Sequence, residues 1–313
     1  MEMHQLRYFV AVARTGSFSR AAEQCDVAQP SLSQQIQKLE NGLGQRLFDR
    51  LGRRAALTDA GRLLLDRALA ILSAVEDAER RLRDADERQE GRLSVGVLPT
   101  IAPYLLPAVL GRFLKQHPLV ELTIHEDVTR QLLAAVGNGD LDLALVAMPV
   151  HDERVEAEAL FSEPLYLAVP RTHRLARRRR VTLDDCAEER FILLNELHCL
   201  GEQVLSFCRA HGCQPRIACR SAQISTIQSL IAMNQGVSLL PAMARRADRD
   251  KRRVYRALDG GGPERTIAVI WRLHRYHSPT AERFLKGLRE VGEELQTSPT
   301  TPAATAPQEG SPA

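Results

Sequence analysis

Aromatic residues are scarce in this chain: Phe, Trp and Tyr together make up 4% of 313 positions, with a single Trp. Its cores must therefore be built from Leu, Val, Ile and Ala, within an ordinary globular hydrophobic content of 44%. No run approaches the ~18 consecutive apolar residues of a membrane-spanning helix. No secretory leader is visible either, since Met1 leads straight into an amphipathic segment carrying Arg7 and Arg14. A soluble, cytoplasmic protein with no membrane partner is expected. The six cysteines, Cys25, Cys186, Cys199, Cys208, Cys213 and Cys219, lack metal-finger spacing, so neither a metal nor a cofactor is expected. In a reducing compartment they rest as thiols, and a disulfide here would be a signal, not a staple. A strong charge of one sign is also missing. With a formal net charge of +3, any nucleic-acid contact has to rest on local basic clusters.

What is present falls into three textures, with room for two or three domains. Residues 1–58 hold short helices broken at Gly16-Ser17, Asp26 and Gln29-Pro30; residues 59–90 form one unbroken helical stretch; residues 91–296 alternate apolar strands with helical periods. The stretch 297–313, rich in Pro, Thr, Ser and Ala, has little to bury and reads as a disordered tail. Strand–helix alternation predicts α/β architecture with largely parallel sheets and two subdomains around a cleft, about 91–161 plus 267–296 and about 162–266.

In the first texture, Ser19 is a candidate N-cap for a helix bearing Ala21-Ala22. After the turn Cys25-Asp26-Val27-Ala28, Pro30 opens a second helix. There Leu32, Ile36, Leu39 and Leu43 mark a buried stripe, leaving Ser31, Ser33, Gln34, Gln37 and Lys38 on the opposite face with Gln29 at the start. Hydrogen-bonding side chains on one helix face suit a major groove, and Arg46, Arg50, Arg53 and Arg54 make a basic hairpin suited to phosphates. A small helical bundle with a solvated polar face is the competing reading. In the second texture Leu64, Ala68, Ile71, Val75, Ala78 and Leu82 repeat at 4-3-4-3-4, a narrow seam that asks for a second helix. A homodimer is expected, against the alternative that the helix packs on its own domain.

These residues also carry a resemblance. The run Leu6-Arg7-Tyr8-Phe9, Gly16-Ser17-Phe18, Ala21-Ala22, Gln29-Pro30-Ser31-Leu32-Ser33, Leu39-Glu40, Leu43-Gly44, Leu47-Phe48, Arg50 and Leu57-Thr58-Asp59-Ala60-Gly61 resembles the LysR-type transcriptional regulators. The resemblance implies a winged helix-turn-helix, a linker-helix dimer and an effector domain like the periplasmic binding proteins. It also implies homotetramers, binding of double-stranded promoter DNA and contact with RNA polymerase. The effector half is most similar to the peroxide-sensing activators of that family, through Leu98-Pro99-Thr100, Pro103-Tyr104-Leu105-Leu106-Pro107 and His198-Cys199-Leu200 followed by Gln203 and Phe207-Cys208. By that resemblance Cys199 reacts with hydrogen peroxide and Cys208 is its disulfide partner. Thr100, Thr129, His198 and Glu202 would line the pocket, and Arg265 would lie near the thiol. Glu202 stands where those relatives usually carry Asp.

The chemistry has its own requirements. A peroxide-reacting thiol must form a thiolate. Residues 199–211, with Gly212 following, read as a helix, which puts Cys199 at its N-terminus, where the dipole favours an anion. Cys208 shares a face with Leu200, Val204 and His211 and is equally readable as a buried core thiol. Nine residues along a helix is a rise of about 13.5 Å, whereas a disulfide needs its Cα atoms within about 7 Å. The implied bond therefore requires the helix to unravel, which Gly201 would ease at a helix cost of about 1 kcal/mol. Cys213 competes as partner; Cys25, Cys186 and Cys219 read as packing residues, and the Arg177–Arg180 run as a solvated loop. Two other functions stand beside peroxide sensing. One is a regulator binding a small metabolite through Thr100 and Thr129, although Thr100 is also a candidate helix cap. The other is a thiol peroxidase, for which no docking site for a recycling reductant is visible; no enzyme is expected.

Overall fold

The computed structural model describes residues 1–51, 54–84, 91–195 and 199–297. The tail beyond Thr297, the end of the linker at 85–90, and the candidate residues Arg53 and His198 lie outside the described residues. The chain opens with helices α1 (Met3–Thr15), α2 (Phe18–Gln24) and α3 (Gln29–Leu43), followed by an antiparallel hairpin of β1 (Phe48–Leu51) and β2 (Arg54–Leu57). Ser17, not Ser19, caps α2, accepting from the Arg20 amide at 3.5 Å; Ser19 is already inside the helix. Leu32, Ile36 and Leu39 are buried against Leu6, Phe9, Val12 and Ala21. Leu43, expected on that stripe, is exposed, because Gly44 in the left-handed region (φ 67°) ends α3 there. Glu40 holds the hairpin, its Oε1 accepting from the Leu47 amide at 2.8 Å and the Phe48 amide at 3.3 Å.

Helix α4 (Asp59–Asp84) starts at Thr58, whose hydroxyl accepts from the Gly61 amide at 3.0 Å and donates to the Arg46 carbonyl at 2.7 Å. A Cβ on Gly61 would lie 2.2 Å from the Leu47 carbonyl oxygen, so glycine is what lets the helix meet the wing. The first turns of α4 pack on their own domain: Ala68 is fully buried there, with Leu64 and Ile71 packed against the same core. Ala68 is therefore a core residue, a correction to the expected seam. Val75 is half-buried, while Leu63 and Leu82 are 73% and 79% exposed.

The effector half runs β3 (Arg92–Val97), α5 (Ala102–Gln116), β4 (Glu121–Glu126), α6 (Thr129–Asn138), β5 (Leu143–Ala147), β6 (Val155–Pro170), β7 (Arg190–Leu194), α7 (Cys199–Ala210), β8 (Arg216–Ser221), α8 (Ile224–Ala232), β9 (Ser238–Pro241), α9 (Ala242–Ala247), β10 (Arg253–Arg256), β11 (Glu264–Arg272) and α10 (Pro279–Thr297). One sheet has the order β10-β6-β11-β5-β3-β4, with β9 also on β6; β7 and β8 pair separately. It is mixed rather than largely parallel. Strand β3 pairs parallel with β4 and β5, as β7 does with β8, but every pairing of β6 and β11 is antiparallel. The reason is that β6 runs through both units. Its first part pairs with β11, and its last part, from Leu165, pairs with β9 and β10. Two cores flank this crossing, one taking Phe161 and the other Leu165. No helix among the described residues is long and apolar enough to cross a membrane.

Candidate functional site

Helix α7 lies where the two effector cores meet. Cys199, its first residue, is half-buried against the first core, while the neighbouring Leu200 is buried in the second. One turn on, Gln203 Nε2 donates to the Met148 carbonyl at 3.0 Å, tying α7 to the loop after β5. A Cβ on Gly201 would lie 2.6 Å from the Leu194 carbonyl oxygen, so the helix start is pressed against the end of β7. Three buried polar atoms, Thr129 Oγ1, Asn195 Oδ1 and Gln203 Oε1, have no hydrogen-bond partner among the described residues. Unsatisfied buried groups of this kind are rare and suit a small polar ligand or an ordered water.

Cys208, at the far end of the same helix, is fully buried, and burial pushes its thiol up to about 11, with Cys213 adding to the effect. Burial likewise raises Cys213, Cys25 and, to about 12, Cys186, whose thiol also donates to the Thr182 carbonyl at 3.5 Å. Cys219 is exposed. The two ends of α7 thus hold thiols of different character. Cys199 is half-buried at the helix N-terminus, and Cys208 is neutral inside an apolar core.

Two of the expected pocket residues have partners of their own. Arg265, 1% exposed, gives Nε to Glu163 Oε1 at 2.8 Å, Nη1 to Thr100 Oγ1 at 3.0 Å and Nη2 to the Thr100 carbonyl at 3.1 Å. Its charge is matched by Glu163, because a guanidinium in an apolar interior requires a carboxylate. Glu163 in turn accepts from the Met243 amide at 2.7 Å. Thr100 consequently braces Arg265, and Ile101 occupies the N-cap of α5. Glu202 points outward; it is exposed, accepts from Ser206 Oγ at 3.3 Å and pairs with Arg209 at 3.5 Å.

In the N-terminal domain α3 exposes Gln29, Pro30, Ser31, Gln34, Gln37 and Lys38, with Ser33 half-buried; Arg46 is exposed, and Arg50 stands on β1 opposite Ala55 of β2. A helix with a polar outer face beside a two-stranded wing is the geometry that enters a major groove. Residues 3–62 match the bacterial regulatory helix-turn-helix protein of the lysR family, and residues 86–293 match the LysR substrate binding domain. The chain is a LysR-type transcriptional regulator. Among the LysR relatives, the hydrogen peroxide-inducible genes activator of Pectobacterium carotovorum subsp. carotovorum is 37% identical, covering 95% of this chain and 97% of its own length. The DNA-binding transcriptional dual regulator OxyR of Escherichia coli K12 is 36% identical, covering 87% and 90%. A full-length OxyR from Pseudomonas aeruginosa superposes with a TM-score of 0.74 at 29% identity, over 96% of this chain and 99% of that one. CbnR, a LysR family regulator solved with its target DNA, gives 0.59 at 26% identity over 93% and 99%.

Three residues of this LysR-type regulator are given no site role by sequence reasoning, although Gln203 belongs to the run that carries the resemblance. Glu163 is the buried counter-charge of Arg265, foreshadowed only by a lone carboxylate in the run Phe161-Ser162-Glu163-Pro164-Leu165. Gln203 and Asn195 contribute orphaned acceptors beside Cys199 in sequence; no periodicity singles out either.

Proposed function

We propose that this LysR-type regulator senses hydrogen peroxide with Cys199 and locks its response through a bond to Cys208. Half-exposed Cys199 at the start of α7, with buried Cys208 near the end of the same helix, is the observation that carries this reading. The Cys199 thiolate attacks one peroxide oxygen, the O–O bond breaks, and hydroxide leaves behind a sulfenic acid. The Cys208 thiol then displaces water from that sulfur and forms the disulfide. Since ~13.5 Å of helix rise separates the two residues, the bond forms only when α7 unwinds, giving a two-state element held by covalent chemistry. Thr129 Oγ1 and Gln203 Oε1 serve the incoming peroxide as hydrogen-bonding atoms, with Arg265 and Thr100 as the brace behind them, and His198 beside the thiol in sequence.

The output is regulated binding to promoter DNA in the cytoplasm. Gln29, Pro30, Ser31, Ser33, Gln34 and Lys38 of α3 meet the groove, and Arg50 and Arg53 meet the phosphates. A homodimer forms along α4 through Leu64, Ile71, Val75 and Leu82 together with exposed Leu63, and pairs of dimers assemble as homotetramers that engage RNA polymerase. Non-reducing peptide mass spectrometry tests the sensor on reduced protein given about one equivalent of peroxide, beside Cys199→Ser and Cys208→Ser. A fast Cys199–Cys208 bond, absent from both variants, supports it. Slow oxidation scattered over several cysteines transfers the proposal to a metabolite bound through Thr129 and Gln203.

A further inference from the structure

The C-terminus of α7 brings a second thiol onto Cys208. Gly212, in the left-handed region at φ 72°, turns the chain back so that the Cys213 amide donates to the Cys208 carbonyl at 2.9 Å and the Gly212 amide donates to the Arg209 carbonyl at 3.1 Å. This pair of bonds is a Schellman motif, in which the residue after the glycine packs on the residue five positions earlier. Here both are cysteines, and both are buried in the same core. Cys186 belongs to that core too, but its thiol is held by the Thr182 carbonyl.

We infer that Cys213 is a second resolving thiol, which moves the disulfide from Cys199–Cys208 to Cys208–Cys213 and so ends the signal without an external reductant. The inference rests on the peroxide-sensing reading, because its oxidant is the Cys199–Cys208 bond. The Cys213 thiolate attacks the Cys208 sulfur. The bond between the Cys199 and Cys208 sulfurs breaks as that between Cys208 and Cys213 forms, and Cys199 leaves as a thiolate. The proton given up by Cys213 is matched by the one Cys199 regains from solvent, and no net oxidation occurs. Of the other cysteines in that core Cys213 is the one suited to attack, since its amide bond to the Cys208 carbonyl keeps it against Cys208, whereas the Cys186 thiol is held by Thr182. A five-residue separation keeps it at high effective concentration whatever α7 does upstream. With the bond confined to one end of α7, Cys199 is released and the helix can re-form. Cys208 is then spent as a partner, so a second peroxide leaves Cys199 as an unresolved sulfenic acid.

The test is a time course on reduced full-length protein given one pulse of peroxide, quenched in acid, alkylated and digested with trypsin. Cys199 and Cys208 fall in one tryptic peptide, 191–209, and Cys213 in the next, 210–216, so the first bond is internal and the second cross-links two peptides. Expected is an internal bond that gives way to the cross-link while Cys199 becomes alkylatable again. In Cys213→Ser, and in Cys213→Ala should serine disturb the core, the internal bond should last at least ~10-fold longer. Equal lifetimes of the internal bond in all three proteins, with no cross-link, overturn the exchange and leave the sensor standing. A cross-link that forms equally fast in Cys199→Ser also overturns it, because the pair is then oxidised directly. Failure of the internal bond to form in any protein removes the sensor reading and the exchange together.

Discussion

Replacing Gly201 with alanine separates two accounts of α7 by sign. On helix propensity alone, alanine in place of a helical glycine stabilises by about 1 kcal/mol. The packing says the reverse. A Cβ at 201 would lie 2.6 Å from the Leu194 carbonyl oxygen and 3.2 Å from that of Asn195, where ordinary contact begins at 3.4 Å. Neither oxygen can move far. Leu194 is paired with Ser221 in the β7–β8 ladder, and the Asn195 amide donates to the Ser221 carbonyl at 2.9 Å. The helix must therefore lift by most of an ångström, loosening Leu200, Val204 and Cys208 from the core they share. Overpacking of this kind costs ~1–3 kcal/mol, which outweighs the propensity gain and leaves α7 about 1 kcal/mol easier to open. Hydrogen exchange on the reduced protein reads this directly, with α7 amides expected to exchange about 5-fold faster than in the parent. The Cys199–Cys208 bond should also form faster after peroxide. Slower exchange in the alanine protein would refute the reasoning: glycine would then be a weak point in the helix, as its propensity suggests, and not a contact surface.

Glu163→Ala leaves Arg265 buried and uncompensated and should cost about 3–5 kcal/mol in urea unfolding of the effector domain, with Glu163→Gln falling between it and the parent; a loss below about 1 kcal/mol would mean the pair is not buried in solution. The raised Cys208 thiol gives a signed alkaline effect. Its stabilisation is complete below its ordinary value of 9.0 and is lost as pH rises toward about 11, because the unfolded chain ionises first. Cys208→Ala should flatten that part of the stability profile, and an unchanged slope would assign it to other groups. At the DNA, Gln29→Ala or Ser33→Ala should relax sequence preference, whereas Arg50→Ala should weaken binding to all sequences and reduce the salt slope by about 1. Footprints and salt titrations unaffected by all three changes would remove α3 and the wing from the interface.

The parts of the fold that were legible depend on contacts near in sequence. Leu32, Ile36 and Leu39 declare α3 through a single helical period, and Gly212 marks the end of α7 within one turn. Errors of one turn arise where two local signals compete, as with Ser17 and Ser19 for the cap of α2. Strand β8 was not legible, because Arg216 and Arg220 interrupt the apolar pattern of an exposed strand paired on one side. In strand β6 the apolar pattern is continuous only from Leu165 onward, since Glu156 and Glu158 break up its first part.

The site divides along the same line. Cys199, Cys208 and their helix are local features, visible as an amphipathic period with a thiol near each end. The contacts of the surrounding site are not local. Gln203 reaches Met148 across 55 residues, Arg265 reaches Glu163 across 102 and Thr100 across 165. Arg265 meets Glu163 because β11 pairs with β6, and no periodicity encodes such contacts. This division bears on how the regulator works. The thiol chemistry resides in a helix that could be moved to another scaffold with its motif intact. If the proposed switch operates, the threshold at which oxidation opens that helix depends on long-range contacts such as that of Gln203 with Met148. Relatives sharing both cysteines but differing at the positions of Glu163, Gly201 and Gln203 should therefore differ in the rate of disulfide formation more than in the identity of the bond.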